Sequence, residues 1–174
     1  MTYVDANYAP AGDRKSQSGA LFKLAGSTVG WFSKKQKTVS TSTTEAEYIA
    51  LSAATNETLW LQHLLEEMEA PAVLPTVVYE DNQPALAIAT NQKNPVLAKH
   101  IDVKFQAVGD YHQKGFIAVT GIASKDQLAD GLTKVLTDSF HLDQILGTLP
   151  SLESGGVLNN EILNDGGQTS NTGK

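Results

Sequence analysis

The sequence predicts an α/β fold of one domain, with a mixed five-stranded sheet: a three-stranded antiparallel meander, two parallel strands, and helices on both faces. Three observations carry this. The 174 residues are enough for one core and too few for two with a linker. The first forty residues alternate short β-branched and aromatic runs with turn residues, and a long helical period follows them. After that, apolar strand-like runs alternate with helical segments, the pattern of parallel strands joined through helices.

Thr2-Tyr3-Val4 is the first strand and Ala9-Pro10-Ala11-Gly12-Asp13 the turn after it. Ala20–Leu24 and Thr28–Phe32 form a hairpin around Gly26-Ser27. Ser42 and Glu45 have the spacing of a capping box, and Ile49, Ala50, Ala53, Trp60, Leu61, Leu64, Leu65 and Met68 keep helical spacing as far as Pro71. Trp31 and Trp60 fall on strand and helix faces where core packing is the default. Thr76–Tyr79 is a continuous apolar run suited to a strand buried on both faces. Asn82 can cap the next helix, with Pro84 in its first turn and Ala85–Ala89 as its body. A helix around Ile101–Tyr111, a strand at Phe116–Thr120 and a last helix capped by Ser124 and Gln127 complete the domain, residues 1–137. Residues 138–174 read as an extension, a short helix to about residue 149 and then a disordered Gly/Asn/Ser/Thr/Asp tail.

Composition excludes several classes of function. Apolar residues make up 41% and charged residues 18%, so wholesale disorder is out. With no cysteine, disulfide scaffolds, thiolate zinc sites and cysteine nucleophiles are excluded, while the compartment stays open. No basic segment leads into an apolar one at the N-terminus and no apolar run is long enough for a bilayer, so neither a leader nor a membrane partner is expected. The net charge of −6 argues against a phosphate-rich partner until its distribution is considered. Residues 1–137 carry 14 acids and 12 bases, and two bound divalent cations would make that segment net positive.

Four acids stand at element ends, where open α/β sheets collect functional side chains. Asp5 closes the first strand, Asp81 follows the fourth, Glu47 lies in the first turns of the long helix, and Asp130 lies in the second turn of the last one. Each alone reads more readily as a turn former or a helix-dipole partner than as a catalytic acid. Together, four converging carboxylates would repel and hold protons unless hard cations neutralised them, and oxygen-only ligands favour magnesium or manganese.

Seven blocks in order, over about residues 2–136, resemble the ribonuclease H domain of copia-type LTR retrotransposon polyproteins: Tyr3–Ala9, Gly12–Gly19, Trp31–Lys37, Ser42–Ala50, Tyr79–Gln83, Lys99–Val103 and Gln127–Lys134. The resemblance implies a ribonuclease H-like fold and metal-assisted hydrolysis of the RNA strand of an RNA/DNA hybrid. It implies two Mg²⁺ ions, for which Mn²⁺ can substitute, and no small-molecule cofactor. The family's acids fall on Asp5, Glu47, Asp81 and Asp130, as catalytic residues and metal ligands. Glu47 is preferred to Glu45, which serves Ser42 as cap partner. Arg14, Lys15, Lys34, Lys35, Lys37, Asn82, Gln83 and Lys99 are the candidates for nucleic-acid contacts; each lysine reads as readily as solvated surface. His100 and Asp102 read as helix-start residues.

The implied partners are the hybrid and a reverse transcriptase domain encoded upstream. The first strand begins with almost no lead-in, so weakened pairing is expected there. A catalytically silent nucleic-acid-binding or scaffold remnant is the alternative reading. An integrase-like core is disfavoured, because the second acid lies on the helix directly after the meander.

Overall fold

Turn chemistry and strand alternation shape the first third of the chain. The computed structural model describes residues 1–9, 14–90 and 103–134. β1 (Thr2–Asn7), β2 (Gln17–Leu24) and β3 (Ser27–Lys35) form the antiparallel meander. Ala25 and Gly26 join β2 to β3 with φ of 49° and 87°, the doubly positive pair that matches a two-residue hairpin to strand twist. β4 (Thr76–Glu80) and β5 (Ile117–Gly121) add in parallel, giving the order β3-β2-β1-β4-β5. The mixed five-stranded sheet expected from the sequence is therefore the one observed.

β1 lies in the middle of this sheet, and its start is not weakly paired. All six of its residues pair with β2, and Met1 continues the ladder through its ammonium to the Lys23 carbonyl at 3.0 Å. The strand has neighbours on both sides, so no lead-in is needed to hold it.

One face of the sheet carries α1 (Thr43–Glu67), α2 (Gln83–Thr90) and α3 (Val103–Gln113). The buried row Ala46, Ala50, Ala54 and Thr58 repeats every four residues, so small side chains let α1 lie close to β1. Val4, Ala6, Ala20, Phe22, Val78, Ile117 and Val119 meet these helices in one core with Leu51, Ala85, Ala89 and Val108. At the far end of the row the Thr58 and Thr2 hydroxyls share a hydrogen bond of 2.8 Å.

Strand alternation sends Gly19 to the other face. A Cβ there would stand 2.7 Å from Thr133 Cγ2 and 2.9 Å from Leu132 Cβ, so only glycine admits the turn that packs on it. That segment corrects the last helix: Ser124–Asp126 and Leu128–Leu132 are two short 3₁₀ turns. Ser124 makes no cap; Gln127 does cap the second turn, accepting the Ala129 N–H at 3.3 Å.

Both tryptophans depart from expectation, being 64% (Trp31) and 55% (Trp60) exposed. Trp31 lies on the outer strand β3. α1 runs 25 residues, roughly 37 Å, and its buried positions stop at Thr58, so Trp60 stands on the overhanging part. No helix among the described residues is long and apolar enough to cross a membrane.

Candidate metal centre

The site opens where two strands part. β1 and β4 are paired only at Thr2–Val78 and Tyr3–Tyr79. Just past that point the Val4 carbonyl accepts from Gln127 Nε2 at 2.9 Å instead of from a strand. The crevice beyond carboxyl ends of neighbouring strands is where open α/β sheets place their ligands. Asp5 enters it from β1, Asp81 from the residue after β4, and Glu47 from the fifth residue of α1.

Local chemistry fixes each element. Ser42 Oγ accepts the Glu45 N–H at 3.1 Å, while the Glu45 carboxylate takes both the N–H and the hydroxyl of Thr41 at 2.6 Å. Glu45 is thus committed to the helix start, and Glu47, two residues on, faces inward. After β4, Glu80 Oε1 accepts the Asn82 N–H at 3.0 Å and Asn82 Oδ1 accepts the Ala85 N–H at 3.0 Å. The two bonds hold the bend carrying Asp81 and start α2.

Asp5, Glu47 and Asp81 each bring a carboxylate oxygen to within 4.8 Å of the others'. Asp5 and Glu47 are almost fully buried and Asp81 is partly so. Burial, with the nearby charges of Glu80, Asp5 and Asp81, pushes the Glu47 carboxyl up to about 10, although the Ala6 N–H bonded to it pulls the other way. Burial likewise raises Asp5; the Thr133 hydroxyl and the Lys134 ammonium oppose that rise. Glu80 is pushed up to about 8, again by burial first, against its bond from Asn82. Glu47 Oε2 and Glu80 Oε2 have no hydrogen-bond partner. Three carboxylates gathered from three elements, one of them with a buried oxygen that has no donor, are a set that suits a hard divalent cation.

Asp130 is brought alongside, not into, this group of three. Its Oδ1 accepts from Lys134 Nζ at 2.8 Å, and the same ammonium stands 3.9 Å from Asp5 Oδ1. Thr133 donates its hydroxyl to Asp5 Oδ2. Sequence reasoning gave no role to Lys134, Thr133 or Glu80, and saw in Gln127 only a cap. The four-residue spacing from Asp130 to Lys134 was the available signal for the first. Nothing local signals the Gln127–Val4 bond, which spans 123 residues.

The basic candidates gather at the same end of the sheet. Register aligns Ala6 with Ser18 and Lys34, and Asn7 with Gln17 and Lys35, placing those lysines two strands, about 10 Å, from β1. Lys34 Nζ lies 4.4 Å from the Phe32 ring centroid. Lys37 follows β3, while Arg14 and Lys15 precede β2. Asn82 spends its oxygen on the α2 cap and Gln83 is exposed at the first position of α2. Lys99, His100, Asp102 and the extension from residue 138 lie outside the described residues.

No protein-family model matches the chain. It is 38% identical over 135 residues to the retrovirus-related Pol polyprotein from transposon TNT 1-94 of Nicotiana tabacum, a match covering 77% of this chain and 10% of that protein. It is 35% identical over 136 residues to the corresponding polyprotein from transposon RE1 of Arabidopsis thaliana, covering 78% of this chain and 9% of that one. The chain therefore spans about a tenth of the length of these curated relatives. Among solved structures, LC11-RNase H1 in complex with an RNA/DNA hybrid shares its fold with a TM-score of 0.53 at 18% identity, over 75% of this chain and 91% of that one.

Proposed function

We propose, from the premise that this chain is a homologue of retrovirus-related Pol polyproteins from plant transposons and has the ribonuclease H fold, that it hydrolyses the RNA strand of RNA/DNA hybrids during retrotransposon reverse transcription. The context of this activity is a longer polyprotein with a reverse transcriptase domain upstream. Asp5, Glu47 and Asp81, with Asp130 beside them, are the ligands for two magnesium ions. The observation that carries the reading is the meeting of three carboxylates from β1, α1 and the end of β4 within 4.8 Å, with a buried Glu47 oxygen left unpartnered.

Bound there, divalent cations would supply Lewis acidity for activating water and for stabilising the leaving 3′ oxygen. The chain's own groups prepare that chemistry. Ala6 N–H and the Thr133 hydroxyl each hold one oxygen of Glu47 and Asp5, which orients the remaining oxygens. Asp5 and Glu47 are buried, so charge developing beside them is screened less than in open water. Arg14, Lys15, Lys34, Lys35 and Lys37 lie at the same sheet end and serve as phosphate contacts for the hybrid; such contacts position the duplex. The 2′-hydroxyl and the shape of the minor groove distinguish RNA from DNA.

The test is cleavage of an end-labelled RNA/DNA hybrid at millimolar magnesium. The wild-type chain cuts the RNA strand, and Asp81→Asn loses more than the roughly 10–100-fold that removal of an outer-shell partner costs. Equal rates for the two proteins would refute the nuclease reading. A silent scaffold remnant is favoured by one observation, the Asp130–Lys134 pair, which already neutralises one of the four acids. That reading predicts no melting shift on addition of magnesium.

A further inference from the structure

We infer that Lys134 is a built-in counter-cation that keeps Asp130 apart from the three-acid site, so that a divalent ion ligated by Asp130 must first displace its ammonium. The inference rests on the metal-dependent reading above. Asp5, Glu47 and Asp81 form a group able to hold a cation as they stand, and Asp130 is not in it. The ammonium lies 2.8 Å from Asp130 and 3.9 Å from Asp5, so its stronger partner is the acid left outside.

Local backbone geometry produces the pairing. The Lys134 N–H donates to the Asp130 carbonyl at 3.1 Å, closing a turn that returns the side chain onto the Asp130 carboxylate. Gly19 supports this turn from below, because it alone leaves room for Leu132 and Thr133. The Lys134 side chain is 49% exposed, and its long stem can move to water without opening the core. Asp5, by contrast, is buried and has Thr133 as a fixed donor. Divalent ions therefore bind in two unequal classes: a tighter one at the three-acid group, and a weaker one whose affinity is set by competition with Lys134 for Asp130.

Calorimetric titration of Mn²⁺ into the metal-free chain reads this without reference to cleavage. Wild type should show two classes. Lys134→Gln should tighten the weaker class by roughly fivefold, the scale of a solvent-screened ion pair, and the tighter class less, because the ammonium stands 3.9 Å from Asp5 against 2.8 Å from Asp130. Lys134→Arg, which retains the charge, should reproduce wild type, with melting curves confirming that each variant is folded. An unchanged weaker class in Lys134→Gln, or a single class in every variant, would overturn the role of Lys134 while leaving the three-acid site standing. Absence of Mn²⁺ binding in all three proteins would instead refute the metal-dependent function itself.

Discussion

Where β1 and β4 begin, Met1, Phe22, Leu24, Leu61, Leu65 and Val77 line a mainly apolar cavity of about 350 Å³. Where the same two strands end, Asp5, Glu47 and Asp81 crowd together, and one buried Glu47 oxygen has no hydrogen-bond partner. Both ends belong to one sheet and one helix, since α1 reaches from Glu47 at one to Leu65 at the other. The difference separates stability from function. Apolar burial near the first end favours the folded state at any pH, whereas the carboxylates at the second raise its energy until something positive binds.

Truncating Phe22 would break the comparison from the apolar side, and it carries the largest expected loss of stability. Phe22 is 3% exposed and packs in the core, its ring centroid 6.1 Å from that of Phe32. Phe22→Ala should cost about 3–5 kcal/mol by urea or thermal unfolding. The rise in melting temperature produced by magnesium should survive, because the acids are untouched. Loss of that rise would mean that the two ends are coupled.

The acid end was the more legible of the two in the sequence where strands carry it, and the less legible where turns do. Asp5 and Asp81 fall together on the condition that β1 neighbours β4, which a mixed sheet permits and the observed strand order meets. Ser42 and Glu45 marked the helix start, and that start fixed which glutamate faces inward. The expected last helix around Asp130 is, among the described residues, a pair of short 3₁₀ turns: Gln127 caps the second and also serves the distant Val4 carbonyl, a tertiary bond that no local pattern contains. Glu80 carried no reading of its own, standing just after the apolar run Thr76–Tyr79. Its complete burial depends on packing around the end of β4, which composition cannot show. The tryptophans failed as core markers because residue type gives hydrophobicity and not whether an outer strand or an overhanging helix end has a neighbour.

The acid end should make stability fall as pH rises. Glu47 and Glu80 sit at about 10 and about 8, above their ordinary 4.5, so the folded chain holds protons that the unfolded chain has released. Their contribution is complete below pH 4.5 and is lost progressively as pH rises toward those values. The metal-free melting temperature should therefore drop between pH 5 and pH 9. Magnesium held by Glu47 must release that residue's proton, so its stabilisation should grow over that range. Glu47→Gln, which cannot ionise, should gain about 1–3 kcal/mol at pH 8, the scale of relieving one unsatisfied buried group, and nothing at pH 4. It should also lose most of the magnesium-induced shift. A pH-independent melting temperature in the metal-free wild type would remove the electrostatic half of the comparison.

The smallest expected effect tests whether the acid end is held locally. Ser42 lies outside the core and is not among the residues of the cavity or the acid group; its hydroxyl accepts the Glu45 N–H at the start of α1. Ser42→Ala should cost about 1 kcal/mol, as loss of a helix cap does. The loss should not spread evenly along the helix, because a freed N-terminal turn loosens Glu47 before it reaches the Ala54 and Thr58 contacts with the sheet. Magnesium affinity measured by titration should fall in Ser42→Ala, whereas Phe22→Ala, though several times more destabilising, should keep it. If the two variants instead weakened magnesium binding in proportion to their unfolding costs, global stability and not the first turn of α1 would be what positions Glu47.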